Sequence, residues 1–375
     1  MGYTGKHNEL KSIFNPGLRE ISIPGSEMKI MNELFSSDFA SDKFSIESDR
    51  MIEENNSFTY PVFVPADRNS RKVILLLHGL NERSWIKYLS WAYYLSLNTG
   101  SYVILFPISF HINRSPVLWS DPRAMIPFVK ERRSIFGETE MASFANIALS
   151  NRLTEDPMRF FNSGYRTVRD LVQLMSMIRD GSHPLIPKGS RVNLFSYSIG
   201  AFLAQIIMMG NPGNLFSESK LFMLCGGSVF SNMHGTSKLI MDSLAYEKLY
   251  NYYMVRFEEE IKEKSPLIDF LSSSRLGMAF RSMIDLGRFR SFREKALCGL
   301  SDQLSAVGLL KDSVIPAKGI MDTLSISGKM PSYETCDFTY SYSHENPFPI
   351  HDNHLSLMVD ESFEKIFKKA SLFLR

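Results

Sequence analysis

Residues 1–57 are polar and mixed with weak periodicity, and they read as an N-terminal extension carrying a few short helices. From Tyr60 onward short apolar, β-branched runs alternate with longer helical patterns. Tyr60–Val64, Val73–Leu77, Tyr102–Phe106, Arg191–Phe195, Lys220–Cys225, Gln303–Leu309 and Asp337–Tyr342 are the candidate strands. The run Val73–Leu77 is apolar at every position, as a strand covered on both faces should be. Helical patterns cover Trp85–Leu97, about Arg159–Arg179, Ile199–Met209 and Glu361–Leu374. In the second of these Val168, Leu171, Val172, Met175 and Ile178 share one face, and Gly181 and Pro184 end it. Strands that alternate with helices predict an α/β fold, a mostly parallel central sheet flanked by helices. Residues 228–302 break the rhythm, with helical patterns and no convincing strand. They read as a helical cap inserted into a core formed by residues 58–227 and 303–375.

Composition narrows the function. The 375 residues are 44% hydrophobic and 22% charged, an ordinary globular mixture with ample core-forming material. A formal net charge of +2 gives no reason to expect a nucleic-acid partner. No apolar run is long enough to cross a bilayer, so no stable membrane insertion is expected. Three widely spaced cysteines, Cys225, Cys298 and Cys336, and an N-terminus without a secretory apolar stretch fit a cytoplasmic protein.

The most informative stretch is Val192-Asn193-Leu194-Phe195-Ser196-Tyr197-Ser198-Ile199-Gly200-Ala201. A short apolar strand runs through a tight turn directly into a helix. This is the context of a nucleophile elbow, in which a strained central serine projects its Oγ from the sheet edge. The residues two before and two after the serine crowd each other and must be small; here they are Ser196 and Gly200. Ser196 departs from the usual glycine, but it is small enough for the turn. An ordinary strand-to-helix turn with capping serines would look similar.

Upstream, the strand Val73–Leu77 ends in His78-Gly79-Leu80-Asn81. Together these two turns resemble the α/β-hydrolase superfamily, as found in bacterial serine hydrolase-like proteins of uncharacterised function. The resemblance covers about residues 60–225 and 303–375 and is specific at the superfamily level only. It implies a serine hydrolase with nucleophile Ser198 and an oxyanion hole built from the backbone N–H groups of Leu80 and Ile199. An orienting acid and then a histidine should follow in chain order. Asp312, after the strand Gln303–Leu309 and before Val314-Ile315-Pro316, is the expected acid, with Asp322 a weaker alternative. His354, ahead of the closing helix, is the expected base, with His351 and His344 as alternatives. His344 ranks last because it falls only just beyond the expected strand Asp337–Tyr342.

A metal reading of His344, Glu345, His351, Asp352 and His354 fails on ligand spacing, so neither metal nor other cofactor is expected. The Met- and aromatic-rich segment 228–302 could cover an apolar substrate, while most of its apolar residues simply pack it down. Its basic run, Arg281, Arg288, Arg290, Arg293 and Lys295, reads as a solvated helix face. Residues 111–119 follow a strand and could line a pocket, and Trp85 could be core or pocket rim. The expected partner is a small-molecule acyl substrate with an apolar part. The expected activity is cleavage of a carboxylic ester through an acyl-enzyme. The same residues are compatible with a thioesterase, peptidase or acyltransferase, or with a catalytically silent binding protein of this fold.

Overall fold

A computed structural model describes residues 2–38, 47–261, 266–350 and 355–375. Among them nine strands form one sheet: β1 (Glu20–Ser22), β2 (Lys29–Ser36), β3 (Ser57–Val64), β4 (Lys72–Leu77), β5 (Tyr102–Leu105), β6 (Arg191–Tyr197), β7 (Leu221–Leu224), β8 (Leu304–Leu309) and β9 (Ser332–Cys336). Their order across the sheet is β1-β2-β3-β5-β4-β6-β7-β8-β9. The pairs β1–β2, β2–β3 and β3–β5 are antiparallel, and every pair from β5 through β4 to β9 is parallel.

The apolar runs lie at the centre because both their faces are covered. On β4, Val73, Leu75 and Leu77 belong to one core and Ile74 and Leu76 to the other. The same alternation continues on β6, where Val192 and Leu194 face one way and Phe195 and Tyr197 the other. Helices Met158–Asp180 and Ile199–Gly210 fill the first face, through residues such as Leu171 and Ile207. Helices Tyr3–Ile13, Ile86–Thr99 and Leu355–Leu374 fill the second, around Trp91, Phe363 and Phe367. Trp85 is buried in this second core with its ring edge-on to His78. Among the described residues no helix is long and apolar enough to cross a membrane.

Two expected elements differ. The described part of residues 1–57 carries strands as well as short helices. After the helix Tyr3–Ile13, β1 and β2 extend the sheet, with Ile30 opposite Phe63 and Phe35 opposite Phe58. Buried polar side chains mask this strand pattern: Asn32 is interior because its Nδ2 donates to the carbonyls of Asn15 and Leu18. The last strand is Ser332–Cys336, not Asp337–Tyr342. As an edge strand it is mostly solvated and lacks apolar alternation. The alternating aromatics Phe338, Tyr340 and Tyr342 instead pack on one another in the following loop, with Phe348 against Phe338.

Three of the buried histidines, His78, His111 and His183, have their pKa lowered by burial. His78 is held by the amide of Ile108, which donates to its Nε2 at 2.9 Å, and burial pushes its pKa well below the ordinary 6.5. Burial lowers His111 and His183 from 6.5 to about 4. Each ring takes a proton more readily when the chain unfolds. The unfolded state therefore binds more protons, and stability falls as pH drops from about 6.5 toward 4. Rings such as His111 and His183 should each cost on the order of 3 kcal/mol by the lower limit. The expected result is a melting temperature that declines across this window. The His183 Nδ1 accepts the amides of Leu185 and Ile186. His183→Asn, which keeps a short acceptor for them, should make the decline shallower. An unchanged slope in that variant would remove His183 from the account.

Candidate active site

The central turn is a strand-to-helix elbow. β6 ends at Tyr197, the helix Ile199–Gly210 begins at once, and Ser198 between them has φ 57° and ψ −124°. A non-glycine residue holds this left-handed conformation only where its surroundings impose it. The neighbours are close: a Cβ on Gly200 would lie 2.6 Å from the Leu77 carbonyl oxygen and 2.7 Å from that of His78. Gly200→Ala should therefore push the helix off β4 and lower stability by about 1–3 kcal/mol. A melting curve checks this, and an unshifted transition would show that the turn has slack. Ser196 occupies the small position before the nucleophile. It is fully buried, and its hydroxyl has no hydrogen-bond partner among the described residues.

Ser198 Oγ lies 2.7 Å from His344 Nε2. His344 Nδ1 lies 2.7 Å from Asp312 Oδ2. All three side chains are buried. Asp312 sits in the turn after β8, where its Oδ1 accepts the amides of Val314 and Ile315 at 2.9 and 2.8 Å. That leaves Oδ2 aimed at the imidazole. With Nδ1 donating to the carboxylate, Nε2 carries a lone pair and can accept the Ser198 proton. Asp322, the weaker candidate acid, is instead paired with Lys318 on the outside of a helix.

The histidine in this arrangement is His344, the last-ranked of the three. It fills the place expected for His354. His354 and His351 lie outside the described residues. The reason is the position of β9. Because that strand ends at Cys336, the loop residues 337–343 separate it from His344. Tyr197 secures that loop: its ring stacks on the His344 ring with centroids 5.6 Å apart, and its hydroxyl donates to the His344 carbonyl. The aromatic residue directly before the nucleophile was the available signal for this contact. Lys87 ties the same loop to the turn after β4, donating to the Glu345 carbonyl at 2.9 Å and pairing with Glu82. Nothing in sequence spacing marks Lys87.

In the turn after β4, the Gly79 amide donates to the Tyr88 hydroxyl at 3.0 Å. The Leu80 amide donates to no protein acceptor among the described residues. The Ile199 amide opens a helix that has no side-chain cap. Leu80, Ser198 and Ile199 line one small cavity, together with Phe160, Val314 and Ile315. Two such amides beside a hydroxyl can hold a negatively charged oxygen.

Leu80, Phe160 and Ile199 also line a larger cleft of about 1160 Å³, part of it open to solvent. Its walls come from far-apart segments, including His111 and Trp119 from the 111–119 stretch and Phe270, Leu276 and Phe280 from the 228–302 segment. Among the described residues, 228–302 hold helices and one isolated bridge, Thr236 to Met241. The basic run there is a solvated face only in part, at the exposed Arg290 and Lys295. Arg281 and Arg288 pair with Glu258, and buried Arg293 donates to backbone carbonyls, because helix ends present unsatisfied acceptors there.

Setting aside the added strand β1, the sheet order, the single antiparallel strand β3 beside β5, and the elbow after β6 are those of an α/β-hydrolase fold. The chain is similar over 92% of its length to the esterase domain of a Rhodothermus marinus protein, with all of that chain covered, 10% identity and a TM-score of 0.45. Similarity to the peroxisomal α/β-hydrolase Lpx1 of Saccharomyces cerevisiae covers 92% of this chain and 89% of that one, at 14% identity and a TM-score of 0.43. A cold-adapted esterase from an Arctic intertidal metagenomic library matches at 9% identity and a TM-score of 0.41, over 91% and 94% of the two chains. No curated protein matches the sequence. A family model does match, across residues 31–375, and the chain belongs to that family, described as a family of unknown function (DUF6051).

Proposed function

We propose that this protein is a serine hydrolase that cleaves a carboxylic ester through an acyl-enzyme, with Ser198 as nucleophile, His344 as base and Asp312 as orienting acid. The observation that carries the reading is the pair of 2.7 Å contacts linking Ser198, His344 and Asp312 at a strained elbow. As Ser198 Oγ bonds to the substrate carbonyl carbon, its proton passes to His344 Nε2. The carbonyl oxygen becomes an oxyanion beside the Leu80 and Ile199 amides. His344 then gives the proton to the departing alkoxide, which leaves as the alcohol. Water attacks the acyl-enzyme by the same route, losing its proton to His344 and releasing the acid and the free serine. Asp312 holds the imidazole in the required tautomer. The apolar cleft supports a substrate with a substantial apolar part, and the segment 228–302 acts as its cap. Three free thiols support a cytoplasmic setting.

A fluorophosphonate probe tests the reading. Stoichiometric labelling that maps to Ser198, with turnover of esters ahead of thioesters and amides, is expected. A well-folded sample that takes no label would overturn it in favour of a silent binding protein.

A further inference from the structure

The cleft beside Ser198 is apolar over most of its wall, yet four charged side chains line it: Glu82, Arg83, Arg152 and Arg159. Three of these are neutralised within the protein. Glu82 pairs with Lys87. Arg152 meets both oxygens of Asp49, at 2.9 and 3.0 Å. Arg159 meets Asp49 at 3.2 Å and also pairs with Glu155.

Arg83 is different. Its Nη2 donates to the carbonyls of Phe144 and Ala145, and among the described residues no carboxylate stands within ion-pair distance of it. Its Nε and Nη1 find no protein acceptor there. Burial alone pushes its pKa down, with no anion to offset it. Arg293 provides the contrast: its Nη1 and Nη2 together meet the carbonyls of Ser282, Asp285, Leu286 and Arg288, away from the cleft. Both Nη atoms of Arg293 are taken up by carbonyls and only its buried Nε lacks a partner among the described residues, whereas Arg83 keeps two donor nitrogens uncommitted in the wall of a cleft.

A partly desolvated cation without a counter-charge is unfavourable until an anion reaches it. The planar guanidinium suits a carboxylate, which it can bind through two parallel hydrogen bonds. Arg83 follows closely on Leu80, which with Phe160 and Ile199 lines both this cleft and the small cavity that holds Ser198, so one molecule spanning the two would bring its anion to Arg83 and its ester to Ser198. We propose that Arg83 is an anion-binding subsite of the cleft and that the substrate is an ester whose apolar acyl chain carries a carboxylate. The substrate assignment rests on the serine-hydrolase reading above; the anion site does not.

The p-nitrophenyl monoester of suberate, with a terminal carboxylate, can be compared with p-nitrophenyl octanoate, the neutral chain of the same carbon count. The native protein should prefer the anionic ester in kcat/KM. Arg83→Gln should lower kcat/KM for the anionic ester about 10- to 100-fold, mainly through KM, and leave the neutral ester nearly unchanged. Arg83→Lys should keep part of the preference. Calorimetric titration with free suberate gives a readout that needs no turnover: saturable binding to the native protein, lost in Arg83→Gln, is expected. Equal losses on both esters would mean that Arg83 only pins the Phe144–Ala145 backbone, and would overturn the proposal. So would a native protein that does not bind suberate. A sample that binds suberate through Arg83 but takes no fluorophosphonate would keep the anion site and overturn the hydrolase reading and the substrate assignment with it.

Discussion

Ser198→Ala is expected to abolish ester turnover, with kcat falling by about 10⁶-fold and the fold unaffected. The size follows from what Oγ does. It forms the bond to the acyl carbon, and no other hydroxyl is placed against His344 Nε2 among the described residues. Binding in the cleft and the Leu80 and Ile199 amides would survive the substitution. A residual acceleration of about 10³- to 10⁴-fold over water can therefore remain, from electrostatics and positioning alone. The fold should survive because alanine adds no atom to the crowded elbow. The strained backbone at φ 57° is imposed by Leu77, His78 and the following helix rather than by the side chain. The measurement is kcat and KM for any ester the native protein cleaves, with a melting curve as control. Turnover undiminished in a folded variant would place the nucleophile elsewhere.

The elbow was legible in the sequence because its constraints are local. A strand buried on both faces leaves a continuous apolar run, and the turn demands small residues at fixed offsets, Ser196 and Gly200. Asp312 was legible for the same reason, since a carboxylate followed by Val314-Ile315-Pro316 makes a turn whose amides it accepts itself. The histidine was not. The alternation of Phe338, Tyr340 and Tyr342 has the period of a strand, but those rings pack on one another in a loop, and the true edge strand is polar. Placing the strand too late in the chain left no room for a loop before His344 and promoted His354. β2 was hidden for a related reason, because Asn32 and Glu33 are buried at positions where a pattern of apolar residues would have announced a strand. The cleft was legible only in part, through the 111–119 and 228–302 segments. Its wall joins residues from Leu80 to Phe280, and the lack of a counter-ion at Arg83 is a property of three-dimensional neighbours that no spacing encodes.

Substitutions at the three histidines and at Asp312 separate the base from its alternatives. His344→Ala is expected to cost about as much as Ser198→Ala, because nucleophile and base act as one unit and removing either disables both. Asp312→Asn should cost about 10⁴-fold in kcat. Its Oδ1 can still accept the amides of Val314 and Ile315, so the turn should hold. The new amide group cannot accept the proton on His344 Nδ1, which favours the wrong tautomer and takes the lone pair away from Ser198. The double variant His344→Ala with Ser198→Ala should be no slower than either single change, as expected for two residues serving one proton transfer. His354→Ala and His351→Ala should leave kcat close to the native value if His344 alone faces the nucleophile. The comparison is made on one ester under one set of conditions, with melting curves to exclude unfolding. A collapse of turnover in His354→Ala, with activity preserved in His344→Ala, would reverse the assignment of the base.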